Sequence, residues 1–453
     1  MRQNSGGPPE HSPAGTDGRI PATLRHPGAA TFWTAVILTG IGAGLSAAAL
    51  ITLLSAVQHL AWPPNLDLLD AATRTDPWRR VMILLGAGLL TGVGQMVLVK
   101  LTGGNGIEIT TALWFSAGRL PVLRTMGSAV LSEAIVGLGA SLGREGAPKQ
   151  AGAAIANVLA DRGGFSDEQR RLLVACGAGA GMAAAYDVPL GGALFAIEVL
   201  RGVLALRLVL PALAASVVAA MVSWVALPDA PTYIIPAYRS GSSIICWALI
   251  AGPIAGVVSV GFVRMIALAD RARPKGWLRL VVPSFVLALL GAASIWFPQL
   301  LGNGKDLAQL TFNGEVAPPL LLALLLLKPI ATAMCLGSGA PGGLFTPSLT
   351  LGALLGAVLG HLSTWLFPGV PSGLCALIGA GAVIAATTQG PISAVVLMIE
   401  LTGHDRTFIA PLLVAAITAT IVSRTIDSRS IYDARLTDEE LAEREKLREP
   451  ASI

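Results

Sequence analysis

Long apolar runs, separated by short polar or glycine-rich segments, make up most of this chain. The run Ala29–Ala61 exceeds the roughly 20 residues that a helix needs to cross a bilayer, so it predicts a tilted spanning helix. It ends at Trp62, an aromatic residue of the kind found at membrane interfaces, followed by two prolines. Further runs of full spanning length cover residues 81–101, 208–227, 244–269 and 278–297. The pattern predicts an all-α, polytopic membrane protein.

Other apolar runs are too short to span a bilayer fully. They cover residues 124–142, 150–159, 172–186 and 189–200, and the run 320–336 is interrupted by Lys328-Pro329. Short, glycine-interrupted segments are typical of the broken helices of transporters, where irregular backbone lines a cavity inside the membrane. Residues 65–80, 228–241 and 298–319 are more polar and are predicted to form loops.

The composition supports a membrane protein. Only 13% of the residues are charged, against about a quarter in an ordinary soluble domain, and 53% are hydrophobic. The net charge of +4 is small, and the basic residues lie mainly in the tails and between apolar runs, so they indicate topology and no nucleic-acid partner. The four cysteines are far apart and form no CxxC pair, so we expect buried, inert thiols and no metal site or cofactor.

The organisation along the chain follows from these runs. Residues 1–28 are rich in Gly, Pro and Ser and are predicted to be a disordered cytoplasmic tail; the first apolar run is too long for the apolar part of a signal peptide. We predict a first membrane repeat at 29–227, a connecting loop at 228–243, a second membrane repeat at 244–432 and a short cytoplasmic tail at 433–453. The expected location is the bacterial inner membrane, with both termini cytoplasmic.

The two predicted repeats share landmarks at a nearly constant offset. Two similar halves with broken helices predict a transport site at the midplane between them. Similarity alone leaves their relative orientation open, and an odd number of crossings per half would invert them. The matched landmarks are Gly104-Asn105-Gly106 with Gly302-Asn303-Gly304, Gly177–Ala180 with Gly379–Ala382, Pro189 with Pro391, and Glu198 with Glu400.

The stretch Gly143–Pro148 places a carboxylate beside a guanidinium in an apolar region. An ionisable residue at membrane depth is costly and therefore indicates a functional site. A helix that begins at Gly146 would present unpaired N–H groups and the positive end of its dipole, and a glycine there lets a small anion approach closely. We predict that Glu145 competes with an anion for such a site. The alternative is a structural ion pair with Arg144, although adjacent residues on a helix do not face each other.

Four motifs, taken together, resemble the CLC family of chloride channels and chloride/proton antiporters. They are Gly143-Arg144-Glu145-Gly146, Gly343-Leu344-Phe345-Thr346-Pro347, Gly104-Asn105-Gly106-Ile107-Glu108 and Ser430-Ile431-Tyr432, and the match covers roughly residues 30–435. The resemblance implies two inverted repeats, a homodimer with one anion pathway in each protomer, and no cofactor. Large cytoplasmic regulatory domains are not expected after Tyr432.

The resemblance also implies roles for single residues. Glu145 corresponds to the gating glutamate. Tyr432 would donate its hydroxyl to a central anion, with an interfacial position in the membrane as the alternative. Asn105 stands in the place of a central serine, with a simple turn residue as the alternative. Main-chain N–H groups of Gly146, Leu344 and Phe345 would line the anion sites.

The chain departs from the family pattern at several of these positions. Asn105 brings a carbonyl as well as an N–H₂ group, which puts the choice of halide in question. Glu108 stands where the family motif ends in proline, and Lys149 follows Pro148 just after the gate; Arg144 and Lys149 are candidates for electrostatic attraction of anions. Val199 occupies the position where antiporters usually carry an internal glutamate, and it cannot carry a proton.

We therefore predict transport of chloride or a similar small anion through a pathway gated by Glu145, linked to voltage or to protons as in chloride/proton antiport. The alternative is a passive anion channel without proton coupling, which Val199 favours. An enzyme is not predicted, because the five histidines lie apart and form neither HExxH nor a nucleophile–base pair. The expected partners are the anion, protons, the lipid bilayer and a second copy of the chain.

Overall fold

A computed structural model describes residues 28–102, 108–202, 206–238, 241–403, 408–433, 436 and 438–448. Most of the described backbone is helical. In the first half the helices are α1 Ala29–Ala61, α2 Leu68–Arg74, α3 Pro77–Thr102, α4 Ile109–Phe115, α5 Val122–Gly137, α6 Gly146–Arg162, α7 Asp167–Tyr186, α8 Pro189–Leu194, which continues as a π-helix over Phe195–Arg201, and α9 Leu206–Ser223.

The second half repeats this style of short and long helices. Its elements are α10 Ser242–Arg271, α11 Leu278–Ala293, a 3₁₀ turn at Pro298–Leu300, α12 Lys305–Asn313, α13 Pro318–Gly337, α14 Phe345–Leu362, α15 Ser372–Thr388, α16 Pro391–Thr402, α17 Ile409–Ile426 and α18 Asp438–Arg448.

Six of the described helices are long and apolar enough to cross a membrane by length and composition: α1, α3, α10, α13, α14 and α17. Shorter apolar helices stand between them, at α9, α11, α15 and α16. The predicted all-α, polytopic architecture with many short helices is therefore confirmed.

The predicted interruption at Lys328-Pro329 is wrong, because α13 runs unbroken through both residues. The Lys328 side chain is 1% exposed, and its ammonium donates hydrogen bonds to the carbonyl oxygens of Leu300, Leu301 and Gly302 at 3.0, 3.2 and 2.8 Å. These carbonyls lie at the end of the 3₁₀ turn, so the lysine satisfies backbone acceptors of a neighbouring element and leaves its own helix intact.

Two of the predicted loops contain helices. α2 lies within residues 65–80, where α3 also begins, and α12 lies within residues 298–319. Both short helices are amphipathic and partly polar, so their composition resembled that of a loop. They touch each other through Asp306, whose carboxylate accepts the N–H of Leu69 at 3.1 Å.

Small residues let the short helices pack backbone against backbone. A Cβ added at Gly152 in α6 would lie 2.0 Å from the carbonyl oxygen of Gly177 in α7. The matching pair in the second half is also in close contact, since a Cβ at Gly352 in α14 would lie 2.5 Å from the carbonyl oxygen of Gly379 in α15. Both halves therefore bring a helix that starts near the centre of the molecule against a glycine- and alanine-rich partner.

Two carboxylates exchange helix caps between the halves. Glu198 accepts the N–H groups of Ile392 and Ser393 in the first turn of α16, at 3.1 and 2.6 Å. Glu400 accepts those of Leu190 and Gly191 in the first turn of α8, at 2.9 and 2.6 Å. Each acceptor and donor lies 202 residues from its counterpart, so the two repeats meet through the reciprocal contacts expected of elements related by a two-fold axis.

Candidate anion site

The two glycine-rich motifs meet in an antiparallel bridge that positions Glu145. The N–H of Gly143 donates to the carbonyl oxygen of Gly343 at 2.8 Å, and the N–H of Gly343 donates to the carbonyl oxygen of Gly143 at 2.7 Å. α6 begins at Gly146, the last residue of the first motif, and α14 begins at Phe345, within the second. The bridge therefore brings together two helix N-termini, one from each half, and places Glu145 between them.

The Glu145 side chain is fully buried and faces the start of α14. Its Oε1 atom accepts the N–H of Phe345, the first residue of that helix, at 2.7 Å. Its Oε2 atom accepts the Thr346 hydroxyl at 3.0 Å and the Tyr186 hydroxyl at 3.2 Å. A carboxylate thus occupies a position where unpaired amides and the helix dipole favour a negative charge.

The two bridge glycines leave the space that this carboxylate fills. A Cβ at Gly343 would lie 2.0 Å from Glu145 Oε1, and a Cβ at Gly143 would lie 2.2 Å from Oε2. Any larger residue at either position would displace the carboxylate from the α14 amide. Glycine is therefore required at Gly143 and Gly343, because the Glu145 carboxylate occupies the space that a side chain would fill.

Arg144 does not serve as the ion-pair partner of Glu145 in this arrangement. Its guanidinium carbon lies over the ring of Tyr186, 4.9 Å from the ring centroid. Tyr186 in turn shares a hydrogen bond of 2.6 Å with Thr346. Arg144 therefore supports the hydroxyl pair that contacts Glu145 and adds positive potential close to it.

Tyr432 and Lys149 form a second cluster, one helical turn beyond Glu145 along α6. The Lys149 ammonium lies 3.3 Å from the Tyr432 hydroxyl, 4.7 Å from the centroid of the Tyr432 ring and 5.2 Å from that of Phe195. The rings of Phe195 and Tyr432 pack edge to face at 5.5 Å. Lys149 is thereby held at the hydroxyl that the sequence assigned to anion binding.

A cavity of about 70 Å³ adjoins this cluster, and we call it the Lys149 cavity. Gly146 and Leu344, whose main-chain N–H groups were predicted to line anion sites, are on its wall with Lys149 and Tyr432. Glu108 also lines it. The site thus has two parts. The first, which we call the seat, is the position at the start of α14 where the Glu145 carboxylate accepts the Phe345 N–H. The second is the adjoining cavity next to the Lys149 ammonium and the Tyr432 phenol.

A tight turn fixes the position of Tyr432. Asp433 accepts the Ser430 hydroxyl at 2.6 Å, and the N–H of Ile431 donates to the carbonyl oxygen of Thr387 at 2.7 Å. Arg444 in α18 forms a buried ion pair with Asp433. The helix within the predicted tail is therefore anchored beside the predicted anion ligand.

Comparison with known proteins agrees with this arrangement. A sequence profile described as the voltage-gated chloride channel family matches residues 87–424, which is well over half of the chain. The chain belongs to this family. It is an integral, multi-pass membrane protein, and its family is one of transporters and channels.

Curated relatives in the voltage-gated chloride channel family carry two kinds of name. A protein of Escherichia coli O81 (strain ED1a), named voltage-gated ClC-type chloride channel ClcB, is 33% identical over 375 residues, covering 78% of this chain and 86% of the relative. A protein of Vibrio vulnificus (strain YJ016), named H(+)/Cl(-) exchange transporter ClcA, is 32% identical over 302 residues and 63% of each chain.

Solved structures of the voltage-gated chloride channel family show the same fold. A slow cyanobacterial Cl⁻/H⁺ antiporter superposes with a TM-score of 0.78 at 22% identity, covering 94% of this chain and all of the other. A CLC-type fluoride/proton antiporter superposes with a TM-score of 0.70 at 21% identity, covering 90% of this chain and 98% of the other. The resemblance inferred from the four motifs is confirmed.

The structure brings most of the predicted site residues together. Glu145, Arg144 and Phe345 meet at the seat; Gly146, Leu344, Lys149 and Tyr432 meet at the Lys149 cavity. Asn105 lies outside the described residues. Val199 is buried and lines a separate cavity of about 220 Å³ with Glu198.

Three contributors to the site's surroundings were not found in the sequence. Tyr186 and Thr346 supply the two hydroxyls at Glu145, although the motif containing Thr346 was predicted to act only through its backbone. Glu133 in α5 is fully buried, and neither of its carboxyl oxygens has a hydrogen-bond partner among the described residues. A signal for Tyr186 existed, since it ends the helix that carries the repeated Gly-Ala landmark, one residue before the left-handed Asp187 and three residues before Pro189.

Proposed function

We propose that this protein transports chloride or a similar small anion across the membrane, along a path that Glu145 opens and closes. The observation that carries the proposal is the hydrogen bond from the Phe345 N–H to the Glu145 carboxylate at the start of α14. An acid side chain there takes the place of an anion that the helix terminus would otherwise bind. Relatives named as a chloride channel and as an H(+)/Cl(-) exchanger support chloride as the cargo.

The mechanism follows from competition for one seat. When Glu145 is ionised, its carboxylate holds the Phe345 amide and the two hydroxyls, and the anion is excluded. When Glu145 gains a proton, its attraction to the helix terminus weakens, and an anion with full charge displaces it. The anion then passes between the seat and the Lys149 cavity, where Tyr432 is placed to donate its hydroxyl. Proton binding at Glu145 and anion binding at the seat are thereby linked.

A liposome flux assay tests the gate. In the wild-type chain, anion efflux is expected to rise as the pH falls, by up to about tenfold per pH unit, which is the limit for one titrating group. Glu145→Gln and Glu145→Ala remove the titrating acid, so flux should persist and lose its pH dependence. Glu315→Gln, at an exposed glutamate between α12 and α13, is the matched control and should behave as wild type. A Glu145→Gln variant that keeps the wild-type pH profile would exclude the gate.

Central anion binding is tested separately. Tyr432→Ala should weaken anion binding measured by calorimetry, because it removes the hydroxyl donor at the Lys149 cavity. Unchanged affinity would assign Tyr432 to packing against Phe195 alone.

A passive channel is the second candidate function, and Val199 favours it. This side chain cannot carry a proton to Glu145 from the cavity that it lines. Measurement of the reversal potential under a pH gradient separates the two candidates: a shift with the proton gradient supports antiport, and a potential that follows the anion gradient alone supports conduction.

We also infer a homodimer in the bacterial inner membrane, with both termini cytoplasmic and membrane repeats at 29–227 and 244–432. The resemblance to the family and the matched landmarks support these inferences. Light scattering of the detergent-solubilised protein tests the dimer, and labelling of cysteines introduced near residues 10 and 450 in spheroplasts tests the termini.

A further inference from the structure

The Lys149 ammonium has few partners for a buried charge. The side chain is 6% exposed. An ammonium carries three N–H donors, and among the described residues Lys149 contacts one hydroxyl, that of Tyr432, and two aromatic rings. Aromatic faces attract a cation but accept no full hydrogen bond. At least one donor is therefore left to point towards the cavity that the residue lines.

Three acids lie around Lys149, and two of them contact other groups. The Glu145 carboxylate faces the start of α14 and the two hydroxyls. Asp270, which also lines the cavity, lies 2.8 Å from the Arg273 guanidinium. Glu108 lines the cavity as well, and it forms no ion pair with Lys149 among the described residues. Tyr432 is the remaining titratable neighbour, and its contact with Lys149 is that of a neutral hydroxyl. Within the described ranges, no carboxylate forms an ion pair with the Lys149 ammonium.

An uncompensated buried cation is costly, and two events relieve the cost. The amine can release its proton, or an anion can enter the cavity and pair with it. The cavity volume of about 70 Å³ is several times the roughly 10–15 Å³ that, measured in the same way, is needed to hold one water molecule, so a halide or a small oxyanion has room beside Lys149. Each event makes the other unnecessary, so the charge on Lys149 depends on whether the cavity is filled.

We propose that Lys149 is the counter-ion of the transported anion, and that it takes up a proton when the anion enters the cavity and releases it when the anion leaves. In the balanced step, the neutral amine, one proton from the aqueous side and one anion give an ammonium–anion pair, and no other bond changes. This inference rests on the proposed function, since it adds a ligand to that anion path. It gives the protein a second proton-linked group, one turn along α6 from Glu145.

The test measures protons taken up per anion bound. Calorimetric titrations with bromide are run in two buffers of different ionisation heat, in a Glu145→Gln background that removes the proton exchange of the gate. The expected result is proton uptake approaching one per bromide at alkaline pH. The affinity should also fall by about tenfold per pH unit there, because one proton is bound with each anion.

Two substitutions at the same position separate charge from proton exchange. Lys149→Arg in that background keeps a fixed cation, since a guanidinium does not deprotonate in proteins, so bromide should bind with no proton uptake and with little pH dependence. Lys149→Met removes the charge, so affinity at neutral pH should fall by at least about tenfold with no uptake. Lys100→Met, at an exposed lysine in the last turn of α3, is the control and should leave uptake unchanged.

The outcomes distinguish this inference from the function on which it rests. Proton uptake that persists in Glu145→Gln/Lys149→Arg, or an affinity unchanged by Lys149→Met, would overturn the role of Lys149 while leaving anion transport in place. Failure of the wild-type chain to bind bromide or to move chloride in liposomes would overturn both. Size-exclusion profiles matching wild type confirm that each variant tested is folded.

Discussion

At the scale of single residues, the centre of the molecule is a carboxylate held by one amide and by two hydroxyls that also share a hydrogen bond with each other. The amide is the main-chain N–H of Phe345, and the hydroxyls are those of Tyr186 in the first half and Thr346 in the second. The amide is fixed by the backbone of α14 and belongs to the seat in any variant that folds. The hydroxyls can be removed one at a time, so they provide a graded control over how firmly Glu145 is held.

Tyr186→Phe should loosen the gate. A hydrogen bond to a charged group contributes about 1.5–3 kcal/mol, and about 1.4 kcal/mol corresponds to tenfold in an equilibrium. Loss of the Tyr186 hydroxyl disfavours the seated carboxylate, so anion efflux at neutral pH should rise by about tenfold. Liposome flux measures this.

The control for that substitution is Tyr238→Phe. It also removes a phenol that donates to a buried acceptor, the carbonyl oxygen of Phe312, but it does so away from Glu145. Its flux should equal that of wild type. An unchanged efflux in Tyr186→Phe would show that the amide and Thr346 alone hold the acid.

The sequence predicted the gate because its signal is local. Glycines, an acid and a following helix start lie within six residues, and each has a direct physical meaning. The hydroxyls escaped prediction because Tyr186 lies 41 residues from Glu145 and Thr346 lies 201 residues away. Their contact exists only after the two halves have closed, and no spacing rule within one helix describes it. The same holds for the meeting of Lys149 with Tyr432, which are 283 residues apart.

At the scale of elements, Glu198 and Glu400 act as helix caps. Each carboxylate accepts two amides in the first turn of a helix from the other half. The sequence had paired these acids by their spacing alone. Their contacts favour a structural role, since their oxygens complete helix termini that lack internal partners.

Glu198→Gln and Glu400→Gln should therefore have matching effects on stability. Each replaces charge-assisted acceptors with a neutral amide, which should cost on the order of 1–3 kcal/mol and lower the melting temperature in detergent. The pH profile of anion flux should remain that of wild type in both variants. A flattened profile in Glu198→Gln alone would instead make this residue part of a proton path and leave the cap as a secondary role.

Helix boundaries in this chain depend on tertiary partners. The Lys328-Pro329 pair suggested a break because a charge and a proline both disfavour a helix interior. Carbonyls at the end of the 3₁₀ turn Pro298–Leu300 accept the lysine donors, so the charge no longer disfavours the helix, and the helix also accommodates Pro329. The composition of a segment cannot show that another element will supply its partners. The long spans α1, α3 and α10 were predicted well, while α2 and α12 were missed, and the runs predicted to span fully at 208–227 and 278–297 form the shorter helices α9 and α11.

At the scale of the whole molecule, the halves are joined by more than the connecting segment. The bridge between Gly143 and Gly343, the seat of Glu145 on α14 and the two exchanged caps all cross between them. The described part of the connection, residues 224–238, contains no helix. The integrity of the site should therefore depend on these contacts and not on the continuity of the chain.

A protease site inserted after Gly241 tests this. Once the protein has folded, cleavage should leave both fragments co-eluting on size exclusion in mild detergent, with flux of at least about half the uncut value. The same insertion with Glu198→Gln and Glu400→Gln together is the comparison and should release the fragments more readily. Immediate separation of the fragments in the otherwise wild-type protein would show that the connection itself holds the halves.

The exchanged caps are also consistent with an origin of this chain by duplication of a half-length protein. A half-length ancestor on its own would have one carboxylate that accepts no main-chain N–H groups and one helix N-terminus that no carboxylate caps. A second copy inserted upside down beside it would supply both missing partners at once. Gene fusion would then turn that pair into a single polypeptide, and the two fused copies could afterwards diverge, one keeping the gate and the other the amides that the gate occupies.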